Sequence, residues 1–295
     1  MTMAATAAAY QPRQSMSTRE IRKRVLVYAG LCFYAFIAGL PVYWMFITTF
    51  KPDQDLYNLR SFPLFFNERG VTWDHVSLLF NRTGYWVWIK NTFLVSAAVV
   101  LITLIFAVPA GYALARLRFR GAESLTIGIF MTYLVPTTLL FLPLVKVISW
   151  LGLFDKLGAL IVAYPTFTIP FCTWLMAGFF KTIPFEIEEA AMVDGCSRVG
   201  AIVRVIMPLS LAGMLTVAIF AFTLSMQDFV YALTFVSSSD QKVVNIGVVT
   251  ELIRGDVFYW GSLMAGALIA GVPVAILYSF FLDYFIKGIT GGAVK

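Results

Sequence analysis

The sequence predicts an all-α membrane protein with six transmembrane helices. Of its 295 residues, 60% are hydrophobic and only 13% are charged, whereas soluble domains carry about 25% charged residues. Several apolar runs reach the roughly 20 residues that a helix needs to span a bilayer. These runs are continuous and lack the period-two alternation of a transmembrane β-barrel, so helices are the remaining solution.

The chain divides into a short tail and one domain. Residues 1–20 are small and polar, and we expect a disordered cytoplasmic tail there. The basic cluster Arg22–Arg24 follows the tail's alanines, and the next apolar run is too long for a secretory signal, so the first span is a retained anchor. Residues 21–295 form the six-span domain, with spans at about 25–48, 91–113, 124–146, 158–180, 208–232 and 262–286.

The basic residues predict the orientation. Lysine and arginine predominate in the tail, between the second and third spans, in the 181–208 loop and at the C-terminus, whereas acids balance them in the other loops. The positive-inside rule therefore places both termini and the 181–208 loop in the cytoplasm. Because span ends account for the net charge of +6, no nucleic-acid partner is expected.

The 181–208 loop concentrates charge. It holds four of the sixteen carboxylates: Glu186, Glu188, Glu189 and Asp194. Pro184 suits a first helical turn, the glutamates favour a helix N-terminus, and Gly195 suits the position after a helix end. A short helix over 184–194 is therefore predicted, followed by a second that Ser197 caps and that runs to Pro208. The loop is either a docking element, which a partner's backbone approaches at Ala190 and Ala191, or a solvated connector.

The sequence offers no catalytic or metal-binding motif. No lysine follows a glycine, so the chain lacks the Gly-Lys of a phosphate-binding P-loop. His75 is the single histidine, which leaves no histidine-based metal site or membrane-embedded catalytic triad. The three cysteines form no disulfide framework. We expect a non-catalytic protein.

Polar residues inside the spans are the candidates for a substrate pathway. An aspartate in a span costs about 2.5–3.5 kcal/mol on insertion scales and normally faces the bundle interior or water. Asp228, together with Ser225 and Gln227, could bind sugar hydroxyls, or Asp228 could make an interhelical bond or lie at the outer interface. Trp174 and Asn91 are weaker candidates, because either could serve packing alone.

Two motifs resemble a known family. Glu189-Ala190-Ala191-x-x-Asp194-Gly195, followed by Val205-Ile-Met-Pro-Leu209, resembles the EAA loop of ABC-importer permeases. Three further stretches resemble carbohydrate-importer permeases of the maltose-importer type: 111–121, 151–158 and 288–295. The resemblance covers roughly residues 25–295. Met226 departs from it, since the family usually has tryptophan there, which removes a stacking surface for sugar.

The resemblance implies a permease subunit of an ATP-driven, binding-protein-dependent sugar importer in the bacterial inner membrane. Its partners would be a second homologous permease, two ATPase subunits, a periplasmic or lipid-anchored sugar-binding protein and membrane lipid. ATP and magnesium would belong to the ATPase, with no cofactor on this chain. The loop between the fourth and fifth spans would carry a cytoplasmic coupling helix, with Glu189 paired to a basic ATPase residue and Asp194 bracing the turn. The implied coupling residues are Glu186, Glu189, Ala190, Ala191, Asp194 and Gly195.

Two other classes stay open from the residues alone. An ion-coupled secondary sugar carrier would need several membrane-embedded acids and commonly an inverted repeat, and the sequence offers Asp228 and no repeat. A non-transporting membrane scaffold would have no need of prolines within its spans.

Overall fold

The computed structural model describes residues 18–58, 60, 62–67, 69–117 and 119–293, with side chains as far as Phe281. The first helices are α1 (Thr18–Phe50), α2 (Asp53–Leu56), α3 (Asp74–Arg82), α4 (Tyr85–Arg116), α5 (Ala122–Tyr133), α6 (Thr137–Trp150), α7 (Leu157–Ala163) and α8 (Pro165–Thr182). The later elements are α9 (Phe185–Val193), α10 (Arg198–Ala201), a π-helical turn (Ile202–Ile206), α11 (Met207–Leu209), α12 (Leu211–Gln227), α13 (Val230–Phe235), α14 (Val244–Leu252), a hairpin of β1 (Ile253–Arg254) and β2 (Val257–Phe258), and α15 (Trp260–Ala293).

Within the described part of the chain, four continuous stretches are long and apolar enough to cross a membrane: α1, α4, α7 with α8, and α15. Two bent pairs add further candidates. The pair α5 and α6 meets at 89°, and the 198–209 helix meets α12 at 70°. The predicted total of six is reached when each bent pair counts as one span.

The predicted span boundaries need three corrections. α1 begins at Thr18, so residues 18–20 of the predicted tail are helical, and residues 1–17 lie outside the described chain. The third span, 124–146, is wrong as a single helix, because it breaks before Pro136. Proline lacks an N–H and disfavours α geometry in the residue before it. The fifth span, 208–232, is also wrong in extent: α12 ends at Gln227, and α13 is separate.

α4 is the central helix of the bundle. It packs along α8 on one side and against α12 on another. Gly111 permits the closest approach, because a Cβ atom there would lie 2.6 Å from the Cβ of Met176 on α8. We call the end of the bundle that carries the 181–208 loop the base and the opposite end the top. α4 runs from Tyr85 at the top to Arg116 at the base.

Polar side chains hold the connections at the top. Lys51 is buried and donates to the carbonyl oxygens of Phe62 (2.6 Å) and Phe65 (3.0 Å). The Asp155 carboxylate accepts hydrogen bonds from the backbone N–H groups of Ser237 and Ser238, both at 2.8 Å. The Asp155 bonds attach the turn before α7 to the segment after α13, so hydrogen bonds connect these loops at the top of the bundle.

Candidate functional site

The 181–208 loop folds as a helix–turn–helix at the base. Its first helix is α9, and Pro184 occupies the capping position immediately before it rather than the first turn. Gly195 follows the helix with φ +93°, a conformation that glycine adopts without a Cβ penalty. The Ser197 hydroxyl then caps α10 by accepting from the Gly200 N–H at 3.2 Å. The two helices predicted from the sequence are both present in the loop, and Ser197 caps the second of them as predicted.

Glu188 is the acid of this loop that faces inward. Its side chain is only 4% exposed, and its Oε1 accepts a 2.5 Å hydrogen bond from the hydroxyl of Tyr112 on α4. The Nε of Arg198, at the start of α10, lies 3.8 Å from the same oxygen. Glu188 thus joins α9 to α4 and faces α10. The sequence grouped it with its neighbours as a first-turn acid and did not indicate this inward contact.

Arg116 forms the second buried contact at the base. It is 2% exposed, and its Nη2 donates to the Ile183 carbonyl oxygen at 2.5 Å. Its guanidinium lies over the Phe185 ring, 4.3 Å from the ring centre, within the range of a cation–π interaction. Among the described residues, Arg116 Nε, Arg116 Nη1 and Glu188 Oε2 are buried without a hydrogen-bond partner. A small cavity of about 140 Å³ adjoins these groups.

The predicted coupling residues divide between surface and interior. Ala191 is only 9% exposed, packed within the chain itself, so the surface available to a partner is narrower than the sequence indicated. Glu189 also borders the small cavity beside Glu188. The remaining predicted residues form the outward face of the loop: Glu186, Glu189, Ala190, Asp194 and Gly195.

A larger cavity lies between α4, α12, α14 and α15, towards the top. Its volume is about 460 Å³, within the roughly 300–1,000 Å³ range of ligand pockets. Polar side chains interrupt its apolar wall, and the hydroxyls of Thr223 and Tyr278 are hydrogen-bonded to each other. The polar lining residues are Thr92, Thr223, Gln227, Asn245 and Tyr278.

Two of the predicted pathway residues, Asp228 and Ser225, make hydrogen bonds within the chain. Asp228 Oδ2 accepts from the N–H groups of Tyr231 (3.0 Å) and Ala232 (3.2 Å), so it caps α13. The Ser225 hydroxyl donates to the Phe222 carbonyl oxygen at 2.9 Å. Gln227 lines the larger cavity. Asn245, which the sequence analysis missed, lines it as well and is tied to the Asp228 carbonyl oxygen.

Asn91 and Trp174 make contacts elsewhere. Asn91 Nδ2 donates to the carbonyl oxygens of Asp240 (2.8 Å) and Lys242 (2.9 Å), so it holds the segment before α14. The Trp174 ring packs 4.6 Å from that of Phe130, between α8 and α5. Of the five predicted pathway residues, Gln227 is therefore the one on the wall of the larger cavity.

Comparisons with known proteins indicate the family of the chain. Residues 107–291 match the family described as binding-protein-dependent transport system inner membrane component. The chain is 31% identical to the inner membrane ABC transporter permease protein YcjP of Escherichia coli (strain K12), over 92% of this chain and 96% of that protein. It is 29% identical to the trehalose/maltose transport system permease protein MalG of Thermococcus litoralis, over 94% of this chain and 98% of that one.

A solved structure shares the fold. It belongs to a bacterial ABC transporter involved in the import of the acidic polysaccharide alginate, and it matches with a TM-score of 0.76 at 20% identity, over 92% of this chain and 100% of that one. The ion-coupled carrier considered from the sequence finds no support among these matches, whereas the resemblance seen in the EAA-like loop is confirmed. The chain belongs to the binding-protein-dependent transport system inner membrane component family, as a non-catalytic ABC transporter permease subunit.

Proposed function

We propose that this chain is a permease subunit of an ATP-driven importer of a sugar or sugar derivative, and that the outward face of its 181–208 loop docks on a separate ATPase. The observation that carries the proposal is the helix–turn–helix at the base, which leaves Glu189 exposed while Glu188 is turned inward. A family member without a P-loop needs a partner that hydrolyses ATP, and this face offers exposed carboxylates for such a contact.

The substrate class follows from the relatives. MalG of Thermococcus litoralis, similar over almost the whole chain, is described as serving trehalose and maltose transport. The larger cavity would suit such a ligand, because amide and hydroxyl groups on its wall can hydrogen-bond sugar hydroxyls: Thr223, Gln227, Asn245 and Tyr278. We expect the sugar to pass this wall during import.

Membership of this family supports a proposal about the assembly. We propose a complex of this chain, a second homologous permease, two ATPase subunits and a sugar-binding receptor, with both termini and the 181–208 loop in the cytoplasm. ATP and magnesium would be held by the ATPase. Purification of the tagged chain from its host in mild detergent should recover a second permease and the ATPase. Recovery of the chain alone, with uptake insensitive to ATP analogues, would contradict the proposal.

Glu189→Arg tests the docking contact. An exposed ion pair contributes about 0.2–1 kcal/mol, whereas disrupting one that is desolvated at an interface costs about 2–5 kcal/mol. We therefore expect sugar uptake to fall by about 30-fold or more, with normal amounts of folded protein. Uptake in vesicles and copurification of the ATPase measure the effect.

Glu123→Arg is the matched control, because Glu123 is also an exposed helical acid at the base and lies outside the loop. It should leave uptake unchanged. If Glu189→Arg and Glu123→Arg behave alike, Glu189 makes no docking contact.

Substrate identity needs a separate measurement. The soluble receptor encoded with this permease should unfold at a higher temperature with its cognate sugar, since a ligand that binds the folded state stabilises it. Uptake of that compound should then fall with Gln227→Leu and Asn245→Leu, which remove hydrogen-bonding groups from the cavity wall. Uptake that is insensitive to both substitutions would place the pathway elsewhere.

A further inference from the structure

The end of α4 at the base is attached to α9 at two points. Tyr112 binds Glu188 in the middle of α9, and Arg116 binds the Ile183 carbonyl oxygen just before it. The two α4 residues are one helical turn apart and so lie on the same face of the helix. Two attachments fix both the position and the direction of α9 relative to α4, which a single contact would not.

The hydrogen bond between Tyr112 and Glu188 is buried, so its stability depends on the charge of Glu188 and its partners. A buried carboxylate is stable only with partners, and removing one partner leaves an uncompensated charge. Glu188 depends on the Tyr112 hydroxyl and on Arg198 at 3.8 Å. Any displacement of α9 must therefore either carry Tyr112 with it or break a costly contact.

α4 connects this contact to the larger cavity. It is a continuous helix from Tyr85 to Arg116, and Thr92, near its top, lines the cavity. The twenty steps along the helix from Thr92 to Tyr112 span about 30 Å at 1.5 Å per residue. α4 is continuous over this length and packs against α8 and α12, so we expect a displacement at its base to be transmitted to the cavity wall.

We propose that Glu188 is a positioning residue through which the motion of α9 is transmitted to α4, with Tyr112 as the group that receives it. This inference rests on the proposed docking of the loop, because the motion would begin at the ATPase. The two neighbouring glutamates then have different roles. Glu189 binds the ATPase, and Glu188 transmits the displacement of α9 to α4.

A double-mutant cycle tests the inference in the complete complex, reconstituted in liposomes with its receptor and sugar. The variants are Glu188→Gln, which keeps the shape, Tyr112→Phe and the double variant, with Glu123→Gln as control. The measured quantity is sugar transported per ATP hydrolysed. We expect each single variant to lower this ratio by about fivefold, typical of coupling networks. The double variant should be no worse than either single, because both remove one contact.

Two further readouts distinguish transmission from general damage. The ATPase should copurify with every variant in normal amount. Glu188→Gln removes the buried charge itself, so the thermal midpoint of its complex should stay close to that of the control. A ratio equal to that of Glu123→Gln, or strictly additive losses in the double variant, would overturn the inference while leaving the docking proposal intact. Loss of the ATPase from Glu188→Gln would also overturn it, by making Glu188 an assembly residue. If the unmodified chain fails to bind an ATPase, the docking proposal fails first.

Discussion

At the scale of single residues, Asp155 combines an unusual backbone with a charge-dependent contact. Its φ of +57° lies in the left-handed region, which aspartate tolerates better than most residues. Hydrogen bonds from the Ser238 side chain, and then from the backbone of Ser238 and Ser237, lower the pKa of Asp155 below its ordinary 3.8. Ionisation of this carboxylate therefore strengthens the contact between the turn before α7 and the segment after α13.

The lowered pKa of Asp155 gives a prediction at the scale of single residues. A lowered pKa means that the folded state favours the ionised form, so the stabilisation is complete above pH 3.8 and is lost as the pH falls through the lower folded-state value. Asp155→Asn should accelerate hydrogen exchange of the Ser237 and Ser238 amides at neutral pH. Asp256→Asn, at the exposed hairpin, should leave both amides unchanged. Equal protection in the two variants would contradict this role.

The neighbouring Glu188 and Glu189 show what a residue pattern predicts and what it does not. Their helical setting is local, and the capping signals at Gly195 and Ser197 were sufficient to predict it. Which glutamate faces inward depends on Tyr112, 76 positions away in the sequence. Local preferences contain no information about such a contact, so the inward acid could not be identified from the sequence.

At the scale of elements, prolines have different consequences in different spans. Pro41, Pro109, Pro143, Pro170 and Pro273 lie inside continuous helices, whereas the chain breaks before Pro136. A proline costs about 3 kcal/mol in a water-exposed helix, and neighbouring helices and side chains can compensate in a bundle. The sequence predicted six apolar segments because hydrophobicity is local. The sequence could not predict which segment would bend, because the groups that compensate for a proline come from neighbouring helices.

The contact between α4 and α8 gives an element-scale prediction. Gly111→Ala would place a methyl group 2.6 Å from Met176 Cβ and 3.0 Å from the Ala177 nitrogen. Overpacking of this kind costs about 1–3 kcal/mol, so the thermal midpoint should fall. Gly178→Ala is the matched control on α8, because beyond the adjoining residues and backbone of α8 itself no atom lies within 4 Å of the added Cβ. If Gly111→Ala and Gly178→Ala have similar thermal midpoints, the contact between α4 and α8 accommodates the added methyl group without loss of stability.

At the scale of the whole molecule, three native cysteines report on burial and orientation. Cys32 lies on the exposed surface of α1, Cys172 is buried in α8, and Cys196 is partly exposed in the 181–208 loop. The apolar stretch of α1 has no buried residues within the chain, so lipid or another subunit must cover it in the membrane. A charged maleimide reaches water-accessible thiols alone.

Single-cysteine variants therefore test the proposed orientation. In inside-out vesicles the charged maleimide should modify Cys196 and spare Cys32 and Cys172, whereas a lipid-soluble maleimide should also reach Cys32. Cys172 should react after unfolding. Labelling is followed by the mass of the intact protein. Reaction of Cys196 in right-side-out spheroplasts would reverse the proposed orientation.

The π-helical turn at Ile202–Ile206 makes the 181–208 loop intolerant of changes in length. A π turn holds one more residue than an α turn, and each α-helical residue advances the chain by about 100°. Deleting one residue from this turn would rotate α9 and α10 by about 100° about the local helix axis relative to α12. The Tyr112–Glu188 bond fixes α9 against this rotation, so the deletion would have to break the bond or distort the turn. Substitutions in this stretch should therefore be tolerated better than insertions or deletions, because the number of residues in the turn sets the direction in which the outward face of the loop points.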